Sequence, residues 1–188
     1  MTDESPEVQV FGAALLLQAV PAIAGAIVVT FSPDHSPLIG LLVFAGVAFF
    51  IAGGQMLAAF SLSAWPRARA TLAVQALSSI VSGGLAAAFL GGERTTFTLC
   101  VSIWAGALAL TYGFAAWFVT DRALARDLSV LTGLSGLLAI IEAAIPLSDV
   151  YAVGIFGAYL AIVAVFTVIA GLSLRFAPRP VDLQKEKI

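Results

Sequence analysis

Six long apolar runs separated by short polar connections constrain this chain more than any other feature of its sequence. A helix that crosses a bilayer needs about 20 consecutive, mainly apolar residues. Runs of about that length occur at 8–31, 37–64, 70–91, 95–119, 128–146 and 151–174, and only the fifth contains a charged residue, Glu142. The connections between the runs are too short to hold a soluble domain. The pattern therefore predicts an all-α integral membrane protein with six transmembrane helices.

The composition agrees with a membrane protein and argues against several other classes. Of the 188 residues, 61% are hydrophobic and 11% are charged, and the mean hydropathy is +1.05. Such a chain cannot hide its apolar surface in a core of its own, so lipid has to cover it. The net charge is −2. The sequence has no basic patch, and we expect membrane lipids rather than nucleic acid as partners.

The distribution of Lys and Arg predicts an orientation, because positively charged connections stay in the cytoplasm. Eight of the nine Lys and Arg residues fall on one side of the predicted membrane: Arg67, Arg69, Arg122, Arg126, Arg175, Arg179, Lys185 and Lys187. Arg94 is the exception. We therefore expect a protein of the bacterial cytoplasmic (inner) membrane with both termini cytoplasmic. Trp65 and Trp117, near cytoplasmic helix ends, suit the aromatic belt of such a protein.

Tails flank the predicted membrane domain, which covers 9–176. The N-terminal tail, 1–8, carries Asp3, Glu4 and Glu7, whereas a cleaved signal peptide starts with positive charge. We therefore expect the first apolar run to be retained as a helix. The C-terminal tail, 177–188, contains two prolines and several charges, and we expect it to be disordered and cytoplasmic.

The starts of the helices recur with a period of about 57 residues, which indicates an internal repeat. The segment QAVPAI at Gln18 aligns with QALSSI at Gln75 and with TGLSGL at Thr132. The sequence thus predicts three tandem helical hairpins, at about 9–66, 67–124 and 125–176. Small residues four positions apart favour close helix packing in lipid, although Gly and Ala are simply abundant here. The pairs are Pro21 with Gly25, Ser79 with Gly83, Ser102 with Gly106, Ser129 with Gly133, and Gly154 with Ala158.

The hairpins, the spaced small residues and the closing segments GIFGAYLAI (154–162) and AGLSLR (170–175) resemble the HdeD family of small bacterial membrane proteins. The likeness covers about residues 10–176. It implies a six-helix fold and an association with acid and stress resistance, and it implies no catalytic residue. The chain departs from many relatives at its turn Gly91-Gly92-Glu93, which lacks proline.

Glu142 is the charged residue within a predicted span, and an intramembrane ionisable group is a functional candidate by default. Counted from Asp127, it lies about 15 residues, or roughly 22 Å, along its helix, in the outer third of the membrane. One interpretation is a site for a proton or a cation. The other is a structural residue that faces the outer surface.

Three glutamines within the apolar runs form a second set of candidates: Gln18, Gln75 and Gln55. Because an amide in hydrocarbon needs hydrogen-bond partners, we expect these side chains to bond between helices. Ligand binding is the alternative.

The three connections predicted to lie outside carry one carboxylate each, from Asp34, Glu93 and Asp149. Around a pseudo-threefold axis these would form an outer acidic rim that attracts cations. The alternative is that they are solvated acids that favour tight turns.

Enzyme signatures are missing from the sequence. It has no histidine and carboxylate cluster with metal-ligand spacing, no phosphate-binding loop and no nucleophile beside a histidine. We expect no enzyme activity, no metal and no cofactor, and we interpret Cys100 as a small buried hydrophobic residue.

Two main functions remain open at this point, beside a weaker third: the binding of a lipid or a hydrophobic small molecule in grooves lined by the many Phe residues, for which phenylalanine that faces lipid is the ordinary explanation. The first is an accessory, scaffolding or stress-associated subunit that packs against a membrane-protein partner or associates with itself. The second is a small transporter or channel for protons, cations or small solutes, in which Glu142 and the glutamines line the path.

Overall fold

The computed structural model describes residues 6–62, 66–146 and 148–176. These residues form six α-helices: α1 (Pro6–Phe31), α2 (Pro37–Ser61), α3 (Pro66–Ala88), α4 (Arg94–Phe118), α5 (Arg122–Ala144) and α6 (Asp149–Phe176). All six are long and apolar enough to cross a membrane. The predicted fold class, an all-α integral membrane protein with six transmembrane helices, is confirmed. Most of both predicted tails, together with Trp65, lies outside the described residues.

Local sequence explains where the helices begin and end. Pro37 and Pro66 occupy first helical positions, where the missing N–H of proline is no loss. The start of α5 differs from the prediction, since the helix begins at Arg122 and not near Leu128. Asp121 explains the difference: its side chain accepts a hydrogen bond from Leu124 N at 2.8 Å and so caps the helix.

The helices form a closed ring in chain order, in which each one packs against its two sequence neighbours and α6 packs against α1. Smaller contacts join α2, α4 and α6 to one another, so the even-numbered helices meet at the centre. Packing is most extensive in the pairs α2–α3, α4–α5 and α6–α1. Each of these pairs joins two different predicted hairpins. The two helices within a predicted hairpin pack against each other over a smaller area. The pattern recurs every two helices, as a threefold repeat requires; the repeat itself stays a prediction.

Close backbone approach supports these pairs at some of the small residues and not at others. A Cβ atom added at Gly83 of α3 would lie 3.1 Å from Ala48 Cβ of α2. At Gly171 of α6 it would lie 2.9 Å from the carbonyl oxygen of Gly12 of α1. By contrast, no described atom lies within 4 Å of the Cβ position at Gly133 or Gly154. Those two glycines face open space, and for them the general abundance of small residues is the explanation that remains.

Large apolar side chains cover the outside of the ring on every helix, as contact with lipid requires. Trp117, near the end of α4, is 84% exposed. We refer to the two ends of the bundle by their charges. The basic end holds the α2–α3 and α4–α5 connections with Arg67, Arg69 and Arg122, and the acidic end holds the three other connections with Asp34, Glu93 and Asp149.

Candidate functional site: an aromatic core, a polar layer and a buried glutamate

Five aromatic side chains fill the centre of the bundle between α2, α4 and α6. We call them the aromatic core: Phe44, Phe97, Trp104, Phe156 and Tyr159, all buried. Phe44 meets the ring of Trp104 edge-to-face with centroids 5.4 Å apart and that of Phe156 at 5.7 Å. The pairs Phe97–Phe156 and Trp104–Tyr159 follow at 5.8 and 6.2 Å. Each such pair contributes about 0.5–1.5 kcal/mol beyond the area that it buries.

Gly40 of α2 allows the three central helices to converge near the acidic end. A Cβ atom there would lie 2.8 Å from the ring of Phe97 on α4 and 2.8 Å from a methyl carbon of Val153 on α6. The lack of a side chain thus lets α2 approach both helices at once. This part of the bundle axis is filled with side chains.

A second layer of side chains, nearer the basic end, is polar. We call Gln18, Gln55, Gln75 and Tyr112 the polar layer; each is at most 4% exposed. Gln55 Nε2 of α2 donates a hydrogen bond to Gln75 Oε1 of α3 at 3.2 Å. The Tyr112 hydroxyl of α4 donates one to Gln18 Oε1 of α1 at 2.7 Å, across the ring. The structure therefore brings the three predicted glutamines together and joins each to another helix.

All four side chains of the polar layer line one cavity of about 10 Å³. This volume is about that of one water-sized sphere, so the cavity has no room for a larger solute. The Oε1 atom of Gln55 is buried and has no hydrogen-bond partner among the described residues. The arrangement suits interhelical bonding better than the binding of an organic ligand.

Two further buried hydrogen bonds link neighbouring helices at the level of the aromatic core. Trp104 Nε1 donates to Ser79 Oγ of α3 at 3.0 Å, and the hydroxyl groups of Ser135 on α5 and Tyr159 on α6 lie 2.9 Å apart. Sequence reasoning missed Tyr112, Trp104 and Tyr159 as polar groups. Each lies in an apolar run, where an aromatic ring is expected to pack as an apolar side chain. The sequence does not indicate which residue will bond to its hydroxyl or N–H group.

Glu142 lies two residues before the end of α5 at the acidic end, far from the polar layer. Its side chain is 3% exposed, and neither carboxyl oxygen has a hydrogen-bond partner among the described residues. The interpretation of Glu142 as a residue that faces the outer surface is therefore wrong. The structure also does not bring Glu142 together with Gln18, Gln55 and Gln75.

The carboxylates of Asp34, Glu93 and Asp149 are exposed at the acidic end. Asp34 organises its own turn, since its two carboxyl oxygens accept hydrogen bonds from Ser36 N at 2.9 Å and from Ser36 Oγ at 2.8 Å. Glu93 precedes α4 and Asp149 begins α6, where the helix dipole favours negative charge. These local roles account for all three acids, and the cation-attracting rim stays a prediction.

Asp127 is a buried acid that sequence reasoning placed in a connection. It lies in the second turn of α5, and its Oδ1 atom is 3.4 Å from Nη2 of the exposed Arg126. The error has the same cause as the misplaced start of α5, because a segment with three charges in six residues is typical of a loop.

Within the described ranges, no three side chains of the His, Cys, Asp and Glu types come close enough to hold a metal ion. Cys100 is a buried free thiol on α4.

No protein-family model, no curated protein and no solved structure matches this chain. The resemblance to the HdeD family therefore stays a prediction from the sequence.

Proposed function

We propose that this protein is a non-enzymatic accessory or scaffolding subunit of the bacterial cytoplasmic membrane, which acts by packing against another membrane protein or a second copy of itself. The observation that carries the proposal is the closed interior. The aromatic core fills the centre between α2, α4 and α6, and the cavity of the polar layer measures about 10 Å³. A bundle whose described centre is packed with side chains in this way is suited to act through its surface.

The outward face of α2 supports this proposal. Gly46 and Gly53 lie seven residues apart on that face, and no described atom comes within 4 Å of either Cβ position. Exposed Phe50 and Leu57 lie beside them. Glycine lets a second helix approach closely, and close approach is the main source of association energy between helices in lipid.

Purification in mild detergent after chemical cross-linking in membranes tests the proposal. We expect the parent protein to yield a cross-linked product, either with a partner or with itself, and the double variant Gly46→Leu/Gly53→Leu to lose most of it. Gly133→Leu is the matched control, because Gly133 of α5 also faces open space. A solitary parent protein, or equal loss in the control, contradicts the proposal.

The part of the proposal that concerns stress rests on the resemblance to the HdeD family, which is associated with acid and stress resistance. Deletion of the gene, followed by growth after acid challenge, tests this part separately. Unchanged survival would leave the docking proposal in place and remove the association with stress.

A transporter of protons or cations is the second candidate, and the buried carboxyl group of Glu142 is the observation that favours it. Flux into liposomes that contain the parent protein or Glu142→Gln distinguishes the two functions. Flux in the parent that is lost in the variant would establish transport. Absence of flux in both would reject it.

A further inference from the structure

The small cavity of the polar layer is lined by a side chain whose hydrogen bonding is incomplete. Gln55, one of its lining residues, is 2% exposed, and its Oε1 atom has no hydrogen-bond partner among the described residues. Buried polar atoms in folded proteins almost always have a partner, either in the protein or in an ordered water molecule. The carbonyl group of Gln55 therefore needs a donor that the described residues do not supply.

The other polar groups that line the cavity can also bond to a small molecule there. In the two hydrogen bonds of the polar layer, Gln75 and Gln18 use their Oε1 atoms as acceptors. Each of these amides also carries two N–H donors, and the Tyr112 hydroxyl can accept a hydrogen bond while it donates one to Gln18. The cavity thus combines acceptors, on Gln55 and Tyr112, with donors, on Gln18 and Gln75.

Size and charge favour water as the molecule that meets these groups. A cavity must measure at least about 10–15 Å³ to hold one water molecule, which typically makes about three hydrogen bonds, and this cavity measures about 10 Å³. The described residues that line it carry no charge, so a cation would lie within hydrocarbon without a counter-charge. The remaining lining residues are apolar: Phe11, Ala14, Leu15, Leu72 and Leu128.

We propose that the polar layer binds one buried water molecule. The water donates hydrogen bonds to Gln55 Oε1 and to the Tyr112 hydroxyl, and it accepts one from the amide of Gln18 or Gln75. The direct hydrogen bonds join Gln55 to Gln75 and Tyr112 to Gln18. The water connects these two pairs into one network across α1, α2, α3 and α4. Because the site lies inside the bundle, it does not depend on the docking face of α2.

Oxidation by hydroxyl radicals tests this site in the full-length protein in detergent. A short X-ray pulse generates these radicals from bulk water and from bound water, and mass spectrometry identifies the side chains that they oxidise. Tyr112 lines the cavity, whereas the equally inaccessible Tyr159 does not. We expect Tyr112 to be oxidised several times more than Tyr159. Equal oxidation of the two tyrosines, which is also the result expected of a bound cation, overturns the proposal.

Two variants remove the water in different ways. Gln55→Leu takes away the carbonyl group that needs a donor, and Ala14→Val adds two methyl groups at the wall of the cavity. We expect each to lower the oxidation of Tyr112 to the level of Tyr159. Ala26→Val is the matched control, because Ala26 is a similarly buried alanine of α1 outside the cavity, and it should leave the oxidation of Tyr112 unchanged.

Tyr159 also reports whether a variant is folded. Unfolding exposes both tyrosines and raises the oxidation of both, whereas loss of the water lowers that of Tyr112 alone. If either Gln55→Leu or Ala14→Val unfolds, the other one decides. Oxidation of Tyr112 that stays at the parent level in a folded Gln55→Leu or Ala14→Val variant contradicts the proposed water site.

Discussion

Glu142 brings a carboxyl group into a part of the bundle where no described residue donates a hydrogen bond to it. A buried polar group without a partner costs free energy in any apolar environment, and a charged one costs more. The polar layer differs, because Gln18 and Tyr112 satisfy each other across the ring. We therefore expect the carboxyl group of Glu142 to lower the free energy of unfolding, and the hydrogen bond between Tyr112 and Gln18 to raise it.

We expect Glu142→Leu to stabilise the protein. Leucine removes the unpaired carboxyl group and keeps a side chain of similar size, so the free energy of unfolding should rise by about 1–3 kcal/mol. Unfolding in mixed micelles at increasing denaturant measures the change. Glu93→Gln, at an exposed position, should shift it by less than about 0.5 kcal/mol. A loss of stability in Glu142→Leu would mean that the carboxyl group has a partner beyond the described residues.

Removal of the Tyr112 hydroxyl should have the opposite effect. Tyr112→Phe leaves Gln18 Oε1 buried without its donor, and we expect a loss of about 0.5–1.5 kcal/mol of unfolding free energy. The double variant Tyr112→Phe/Gln18→Leu should recover part of this loss, because both polar partners are then gone. Tyr151→Phe is the control, since Tyr151 is exposed. If the two tyrosine variants lose the same free energy, the hydrogen bond contributes nothing to stability.

The candidate residues could be chosen from the sequence, but their surroundings could not. An amide or a carboxylate in an apolar run is visible at once, as with Gln55 and Glu142. Burial is not visible, because in a membrane protein the side of a helix that faces lipid is as apolar as the side that faces the core. The side on which Glu142 lies, and the pairing of Gln18 with Tyr112, therefore depend on how the helices pack.

At the scale of the helices, length was predictable and neighbours were not. Each apolar run is long enough to span a bilayer, which determines six helices without any reference to packing. The choice of closest neighbour depends on small residues, and Gly83 and Gly133 look alike in the sequence although only Gly83 meets another helix closely. Such close contacts occur in the pairs α2–α3, at Gly83, and α6–α1, at Gly171, whereas the glycines between α4 and α5 make only ordinary contacts.

Two glycines of α6 test the importance of close approach within one helix. A Cβ atom at Gly171 would lie 2.7 Å from Leu16 Cγ and 2.9 Å from the Gly12 oxygen, so we expect Gly171→Ala to destabilise the protein by about 1–3 kcal/mol. Gly154→Ala meets no described atom within 4 Å and should be neutral or stabilising by up to about 1 kcal/mol. Thermal unfolding in detergent compares them. If both substitutions change the stability in the same direction, the close contact of Gly171 with α1 does not limit the packing of α6.

For the molecule as a whole, the ring of six helices separates two kinds of surface. Its centre is closed by the aromatic core, and its outside is apolar on every helix. Two polar ends remain, one with the basic and one with the acidic connections. The direction of the chain across the membrane decides which of these ends meets the cytoplasm and its proteins.

The proposed orientation places the basic end in the cytoplasm, because positively charged connections are retained there. In a Cys100→Ser background, a membrane-impermeant maleimide should label Asp34→Cys in intact spheroplasts and leave Arg69→Cys unlabelled. Both positions are exposed, so lysis should make them equally reactive. Labelling of Arg69→Cys before lysis would place the basic end outside.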